Sequence, residues 1–472
     1  MRKTKIICTL GPACDDYETL KKMVLAGMNC CRLNFSHGTH EDQLIRINNI
    51  KKLREELGVP LPILLDTKGP EIRFGNFENK SISLDEGDIF TICPDVNIMG
   101  NKERGGITYP SLNKAVIKGT KILVDDGKLG LKVLEVKEDG DIVCEVLNSG
   151  MISNHKSLNI PNVDVKMPYI SEADKADIEF GIANGIDLIA ASFARNAYDI
   201  LALRSLLGKN KCDDVMIIAK IENMHGIKNA EEILAVSDGL MIARGDMGVE
   251  VDYDKLPAIQ KELIMKCYNA GKVVVTATQM LESMTYLPRP TRAEVSDVAN
   301  AVFDRTSVTM LSGETAAGKY PVEAVDAMSK INLGAEEAID YEARFYQHRV
   351  LLGKGITSAI CAAAVETSFK IKAKAIICVT SGGITAKRLA AYQPACPIIA
   401  AVLKEKAYHQ LGIVWGVEAF RAQELNSTDE IIKNGVRIAV ESGLVKKGDT
   451  VVITGSSAVG KGGTDMMQIY TI

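Results

Sequence analysis

Val215 to Asp246 reads VMIIAKIENMHGIKNAEEILAVSDGLMIARGD. Two short apolar runs stand in it, Met216 to Ala219 and Leu240 to Ala243. Each ends in charge: Lys220 and Glu222 after the first, Arg244 and Asp246 after the second. A run too short for a helix, rich in Ile and Met and separated from the next by the helix-like segment Gly226 to Val236, reads as a buried parallel strand of a strand-helix-strand unit. Both charged clusters therefore stand at strand C-terminal ends, where α/β folds place their chemistry.

The same rhythm extends in both directions. Lys5 to Leu10 is a first strand ended by Gly11-Pro12, followed by a helix from Tyr17 to Ala26 with Gly27 as its stop. Cys30 to Phe35 is a second strand carrying Arg32, Asn34 and then Ser36. After a polar helix from Glu41 to Leu57, Pro62 to Leu65 is a third, closing on Asp66-Thr67 and then Lys68-Gly69-Pro70-Glu71-Ile72-Arg73. From Phe74 to about Val165 no helix pattern appears, and short β-type runs alternate with Gly and Asp turns. This predicts a small all-β domain inserted after the third strand, mobile on its two connections and suited to act as a lid. The alternation returns at Ser171-Glu172-Ala173-Asp174, an N-cap with acids in the first turn. Strands are then expected at Asp187 to Phe193, Val215 to Ile221, Gly239 to Ala243, Val273 to Ala277 and Ser307 to Leu311. Eight strand-helix units with one excursion predict a TIM (β/α)8 barrel. The alternative, a doubly wound sheet, lacks a Gly-x-Gly-x-x-Gly after the first strand. A helical stretch, Val322 to Arg344, leads to a C-terminal α/β domain. The expected division is 1–69 with 169–343 for the barrel, 70–168 for the lid and 344–472 for the last domain, in keeping with about three domains for 472 residues.

A formal net charge of -4 leaves no basic stripe for nucleic acid. No run of about 18 apolar residues predicts a membrane span, and the N-terminus MRKTKIICTLGP lacks a signal-peptide core, so a cytoplasmic location is expected. The 11 cysteines are scattered without a Cys-x-x-Cys pair and read as small buried hydrophobes. The six histidines show no zinc-ligand spacing.

The strand ends deliver Arg32, Asn34, Ser36, Asp66, Thr67, Lys220, Glu222, Arg244, Asp246, Thr278, Gln279, Ser312 and Glu314 to one rim, with Arg73 nearby. Glu222 and Asp246, from neighbouring strands, can hold a hard divalent cation such as magnesium, which keeps waters and takes substrate oxygens. Lys220 and Arg73 add positive charge, a set suited to phosphoryl transfer or to enolate stabilisation. Asn34, Ser36, Asp66 and Thr67 offer oxygens to a second, softer-held cation. In the last domain, Thr380-Ser381-Gly382-Gly383-Ile384-Thr385 and Gly455 to Gly463, with Lys461, form two loops suited to phosphate, or ordinary strand-helix turns.

The blocks Arg32 to Gly38, Asp66 to Arg73, Lys220 to Asn223, Ala243 to Gly248, Ala277 to Met284 and Met310 to Ala316 together resemble the signature blocks of the pyruvate kinase family, in its order and over nearly the whole chain. The resemblance implies phosphoryl transfer from phosphoenolpyruvate to ADP, giving pyruvate and ATP. It implies Mg2+ or Mn2+ on Glu222 and Asp246, Lys220 at the phosphoryl group, and Arg32 and Arg73 clamping phosphates. Gly245, Asp246 and Thr278 would meet the pyruvate carboxylate, and Thr278 or Ser312, through water, would serve the proton. Asn34, Ser36, Asp66 and Thr67 match the family's K+ ligands, in agreement with Glu71, and Asn34, Ser36, His37, Arg73 and Lys156 would face the nucleotide. The two C-terminal loops match where the family binds phosphorylated activators, implicating Thr380, Ser381, Gly382, Thr385 and Lys461. A homotetramer is implied, and the sequence ending at Ile472 points to the type without a further C-terminal domain. One departure stands out: the family usually reads Asp-Gly-Thr-Asp where this chain has Asp304-Arg305-Thr306-Ser307. At the entry to the eighth strand this should touch packing or assembly more than chemistry. A magnesium-dependent barrel lyase or aldolase acting on pyruvate or phosphoenolpyruvate is the competing enzyme, and a non-catalytic sugar-phosphate sensor a third reading.

Overall fold

Eight short parallel strands close into a barrel: β1 (Lys5–Thr9), β2 (Cys30–Asn34), β3 (Ile63–Asp66), β4 (Leu188–Ala191), β5 (Met216–Ile221), β6 (Gly239–Ala243), β7 (Val273–Ala277) and β8 (Val308–Leu311), with β8 pairing back onto β1. The computed structural model describes residues 1–163, 165–347, 355–423, 427–457 and 463–472. All eight runs are apolar because both faces are covered. Alternate residues such as Ile7, Leu64, Ile218 and Met241 pack inside the barrel, while Ile6, Cys8, Leu65 and Ile217 pack outward against the helices. The expected helix from Gly226 to Val236 is two, Met224–Lys228 and Ala230–Val236, broken at Asn229. Among the described residues no helix is long and apolar enough to cross a membrane.

The excursion after β3 is a seven-stranded sheet with a two-stranded partner, built around Phe74, Phe77, Phe90 and Leu131. Among the described residues its one helical element is the single 3-10 turn Leu112–Lys114. The last domain is a five-stranded sheet of β9 (Ala375–Thr380), β10 (Ile398–Val402), β11 (Val417–Arg421), β12 (Thr450–Gly455) and β13 (Met466–Thr471), in the order β11-β10-β9-β12-β13 with only β13 antiparallel.

This last domain closes the barrel floor. Ile413 joins the apolar cluster inside the barrel. Lys5 Nζ donates to Val417 O at 2.7 Å, and Gln410 Nε2 donates to the carbonyls of Asp187 and Asp214 at 3.1 and 2.7 Å. His409, 4% exposed, accepts from Leu61 N at its Nδ1 (3.4 Å) and sets Nε2 against Glu405 Oε1 at 3.0 Å. Burial, aided by Arg54 and opposed by Glu405, pushes its pKa down to about 4. The folded protein therefore holds His409 neutral while the unfolded chain takes up a proton below about pH 6.5, so stability is lost as pH falls from there towards 4. Thermal unfolding should show the wild type losing on the order of 2 kcal/mol more than His409→Gln between pH 6.5 and 5. Parallel pH profiles for the two proteins would remove His409 as the cause.

Candidate active site

The barrel's register assembles the rim. Asn34 pairs with Asp66 across β2 and β3, and Lys220 on β5 lies beside Met241 on β6. Asp66, 1% exposed, is gripped from two sides: Arg32 Nε donates to its Oδ2 at 2.5 Å, and Lys220 Nζ lies 3.1 Å from its Oδ1. Arg32 also reaches Thr9 Oγ1 at 2.7 Å, and Lys220 donates to Ser192 Oγ at 2.7 Å. Burial by itself, the largest influence, would raise the Asp66 pKa, but Arg32 and Lys220 outweigh it and hold the carboxyl below its usual range. Burial likewise opposes the charge on Lys220, yet Asp66 and Glu222 outweigh it and raise the amine's pKa. Both cations are thus fixed on one carboxylate at the mouth of the barrel before any substrate arrives.

Glu222, fully buried, accepts from Phe193 N at 2.5 Å through Oε2. Phe193 adopts φ +53°, a strained turn that aims this N–H inward. Lys220 Nζ stands 2.9 Å from Oε1 as an ion pair but not in hydrogen-bonding direction, so Oε1 is a buried oxygen without a donor. Asp246, whose side chain has no hydrogen-bond partner among the described residues, adds its charge. Burial first, with Asp246 reinforcing it, pushes the Glu222 carboxyl up to about 8. Two carboxylates that repel each other, one with an orphaned buried oxygen, are a donor set that a hard divalent cation fits. Among the described residues no group of three or more His, Cys, Asp and Glu gathers as an all-protein metal cage.

Around this centre the other expected residues fall into separate places. Thr278, at φ +67°, accepts from Gly245 N at 2.7 Å and donates to Ala277 O at 2.6 Å. The Gly245 N–H expected to face a substrate carboxylate is therefore directed to Thr278. Arg244 is turned away into the scaffold, donating to the Thr278 and Gln279 carbonyls (2.7 and 3.0 Å) and pairing with Asp297 at 2.7 Å. Ser312 Oγ is buried without a hydrogen bond, and Glu314 takes the N–H groups of Ser312 and Leu281, tying the loops after β7 and β8 together. Asn34 Oδ1 accepts from Ser36 N at 3.1 Å, and Thr67 O accepts from Ser192 Oγ at 2.6 Å. His37 stands apart, joined to the site only through its backbone, which bonds Asn34 O and Gln43.

Arg73 and Lys156 come together on the lid edge, where Arg73 pairs with Ser157 in register. Arg73 forks onto Glu71 at 2.9 and 2.5 Å and Lys156 pairs with Asp125 at 2.7 Å. A cavity between this edge and the barrel is lined by Glu71, Asp126, Asn159, Phe193, Asp246 and Glu250. Asn159 Nδ2 bridges lid to barrel by donating to Glu250 Oε1 at 3.4 Å. In the last domain Thr380 Oγ1 accepts from Gly383 N at 3.1 Å, Ser381 and Gly382 are exposed, and a 2.6 Å bond links the hydroxyls of Thr385 and Thr464, the residue after the second expected loop. Lys461 lies outside the described residues.

Sequence reasoning missed Ser192, Phe193 and Thr9. The signal was present for Ser192 and Thr9, polar residues at the C-terminal ends of β4 and β1, the rule that found the others. Phe193 acts through its backbone, which no side-chain pattern announces.

A sequence model described as pyruvate kinase, barrel domain, matches residues 1–325, and one described as pyruvate kinase, alpha/beta domain, matches residues 358–470. The chain is 49% identical over 473 residues to the pyruvate kinase of Geobacillus stearothermophilus, covering 100% of this chain and 80% of that one. It is 45% identical over 479 residues to that of Lactobacillus delbrueckii subsp. bulgaricus, covering 100% and 81%. The crystal structure of a pyruvate kinase from Cryptosporidium parvum superposes with a TM-score of 0.95 at 39% identity, covering 100% of this chain and 96% of that one. With both domain models and full-length relatives agreeing with the barrel and its rim, the chain belongs to the pyruvate kinase family.

Proposed function

We propose that the protein transfers the phosphoryl group of phosphoenolpyruvate to ADP and releases pyruvate and ATP. The observation that carries this reading is the buried trio of Asp66, Lys220 and Glu222, with Nζ at 3.1 and 2.9 Å from the two carboxylates, beside Asp246 and beneath a lid. Lys220, kept charged, faces the phosphoryl group and stabilises the negative charge that develops as it moves. Arg32 orients the phosphate, and Arg73 with Lys156 on the lid meets the nucleotide, exchanging their pairings with Glu71 and Asp125 for phosphate oxygens. Lid closure excludes water that would otherwise accept the phosphoryl group. Glu222 and Asp246 would hold a divalent cation, Mg2+ or Mn2+, which would supply positive charge and Lewis acidity. Asn34, Ser36, Asp66 and Thr67 supply oxygens to K+. Asp246 and Thr278 position the carboxylate, and Ser312, with its unbonded hydroxyl, joins Thr278 in delivering the proton through water.

The loop at Thr380, Ser381, Gly382 and Thr385, with Lys461, receives a phosphorylated activator, and the active form is a cytoplasmic homotetramer. A lyase or aldolase would need neither Lys220 beside the metal ligands nor a lid carrying Lys156. The test is pyruvate formation from phosphoenolpyruvate and ADP, with magnesium present or omitted and potassium present or replaced by sodium. Turnover requiring both ions is expected. Its absence in every mixture would overturn the kinase reading, and turnover indifferent to potassium would overturn the assignment of Asn34, Ser36, Asp66 and Thr67.

A further inference from the structure

At the end of the barrel opposite the site, a cavity of about 210 Å³ lies between the barrel floor and the helix Ile384–Ala391 of the last domain. Lys272, Arg305, Lys387 and Arg388 line it, with Asp238 as the single lining carboxylate among the described residues. Asp238 is already engaged, accepting from Arg204 Nη2 at 2.5 Å and from Ile217 N at 2.8 Å. Lys272 is settled by carbonyls at the end of the helix Ala230–Val236, with Ser237 O at 2.7 Å. Lys387 and Arg388 are different. Lys387 Nζ finds only the Met216 thioether, at 3.5 Å, a weak acceptor for an ammonium group, and Arg388 makes no hydrogen bond or ion pair with any described residue. Burial, partly offset by Asp238, lowers the Lys387 pKa, as befits a charge short of counter-charge.

Arg305 sharpens the point. It adopts φ +82°, a conformation that side chains disfavour, and holds its guanidinium 4.4 Å from the Tyr268 ring centre while lining this cavity. The positive φ is that of a residue ending the helix Arg292–Phe303, where Thr306 N bonds Ala301 O, and the guanidinium, whose Nη2 also donates to Arg344 O at 3.4 Å, adds a fourth cation to a space with one lining carboxylate among the described residues.

We infer that this cavity is an anion-binding site, separate from the active site and from the Thr380–Thr385 loop, which takes a small phosphomonoester of about three carbons. The phosphate is met by the planar forks of Arg305 and Arg388 and by the Lys387 ammonium, donors matched to its three oxygens and double charge. Trp415, Val414 and Ile384 wall the remaining side and receive the carbon skeleton. At about 30 Å³ per water the space holds roughly seven waters, which suits an ester of this size.

The test is calorimetric titration of the full chain in phosphate-free buffer with glycerol 3-phosphate, and separately with inorganic phosphate. The wild type is expected to bind the ester, and Arg305→Gly/Lys387→Met to bind it at least tenfold more weakly, with turnover in the absence of either probe unchanged. Inorganic phosphate should bind the same site more weakly than the ester. Equal binding by wild type and double variant, or none by the wild type, would overturn the site. Phosphate binding as tightly as the ester would overturn the assignment to an ester. Should the double variant fail to fold, Arg305→Gly alone, which relieves the backbone, is expected to weaken ester binding at least threefold, and unchanged binding there counts equally against the site.

Discussion

Lys220→Met is expected to slow phosphoryl transfer about 10³-fold while pyruvate still exchanges its methyl protons with solvent. The size of the effect follows from preorganisation. Lys220 Nζ is pinned by Asp66 at 3.1 Å, Ser192 Oγ at 2.7 Å and Glu222 at 2.9 Å, so its charge meets the transferring group without any rearrangement. Methionine keeps the length and apolar stem and removes only the charge. The selectivity follows from place: proton delivery is assigned to Thr278 and Ser312, which belong to the loops after β7 and β8, and neither touches Lys220. Coupled assay of pyruvate formation measures the first quantity and deuterium uptake into pyruvate by NMR the second. A fall of both by the same factor would remove Lys220 from its assignment to the phosphoryl group and make it a support of the whole site.

The elements that carried this site were legible because the barrel imposes a simple grammar. A strand buried on both faces must be an unbroken apolar run, so the first charged residue after it marks the rim, as with Lys220 after Met216 to Ala219 and Asp66 after Ile63 to Leu65. What that grammar does not give is direction. Arg244 and Asp246 follow the same strand two residues apart, yet Arg244 turns outward to Asp297 and the Thr278 loop while Asp246 lines the cavity between barrel and lid. The helix beginning at Arg244 decides this, together with neighbours distant in sequence. The pairing of Lys156 with Asp125 and of Arg73 with Glu71 was equally illegible, since it depends on how lid strands meet. Arg305 is the converse case. Its departure from the family pattern was visible in the sequence, but its φ of +82° and its cavity only in three dimensions.

Glu222→Gln should abolish the requirement that couples metal binding to pH, together with about 10³-fold of turnover. In the metal-free protein burial, reinforced by Asp246 and opposed by Lys220, lifts the Glu222 carboxyl to about 8, so the folded state binds a proton there more readily than the unfolded chain, which releases it near pH 4.5. The sign follows by linkage: this group's contribution to stability is full below about pH 4.5 and is lost as pH rises towards 8. A divalent cation must displace that proton, so Mn2+ should bind the wild type more tightly as pH rises from 6 to 8, with proton release detectable by titration in buffers of different ionisation enthalpy. Glutamine preserves the shape and can still accept from Phe193 N, so the fold should stand, but it has no proton to lose and no charge to offer. Mn2+ affinity in the variant should therefore be at least tenfold weaker and flat across the same range. If instead the variant binds Mn2+ as tightly as the wild type, with the same pH dependence, the cation is held elsewhere, and the unbonded Oε1 of Glu222 serves only to hold Lys220 in place.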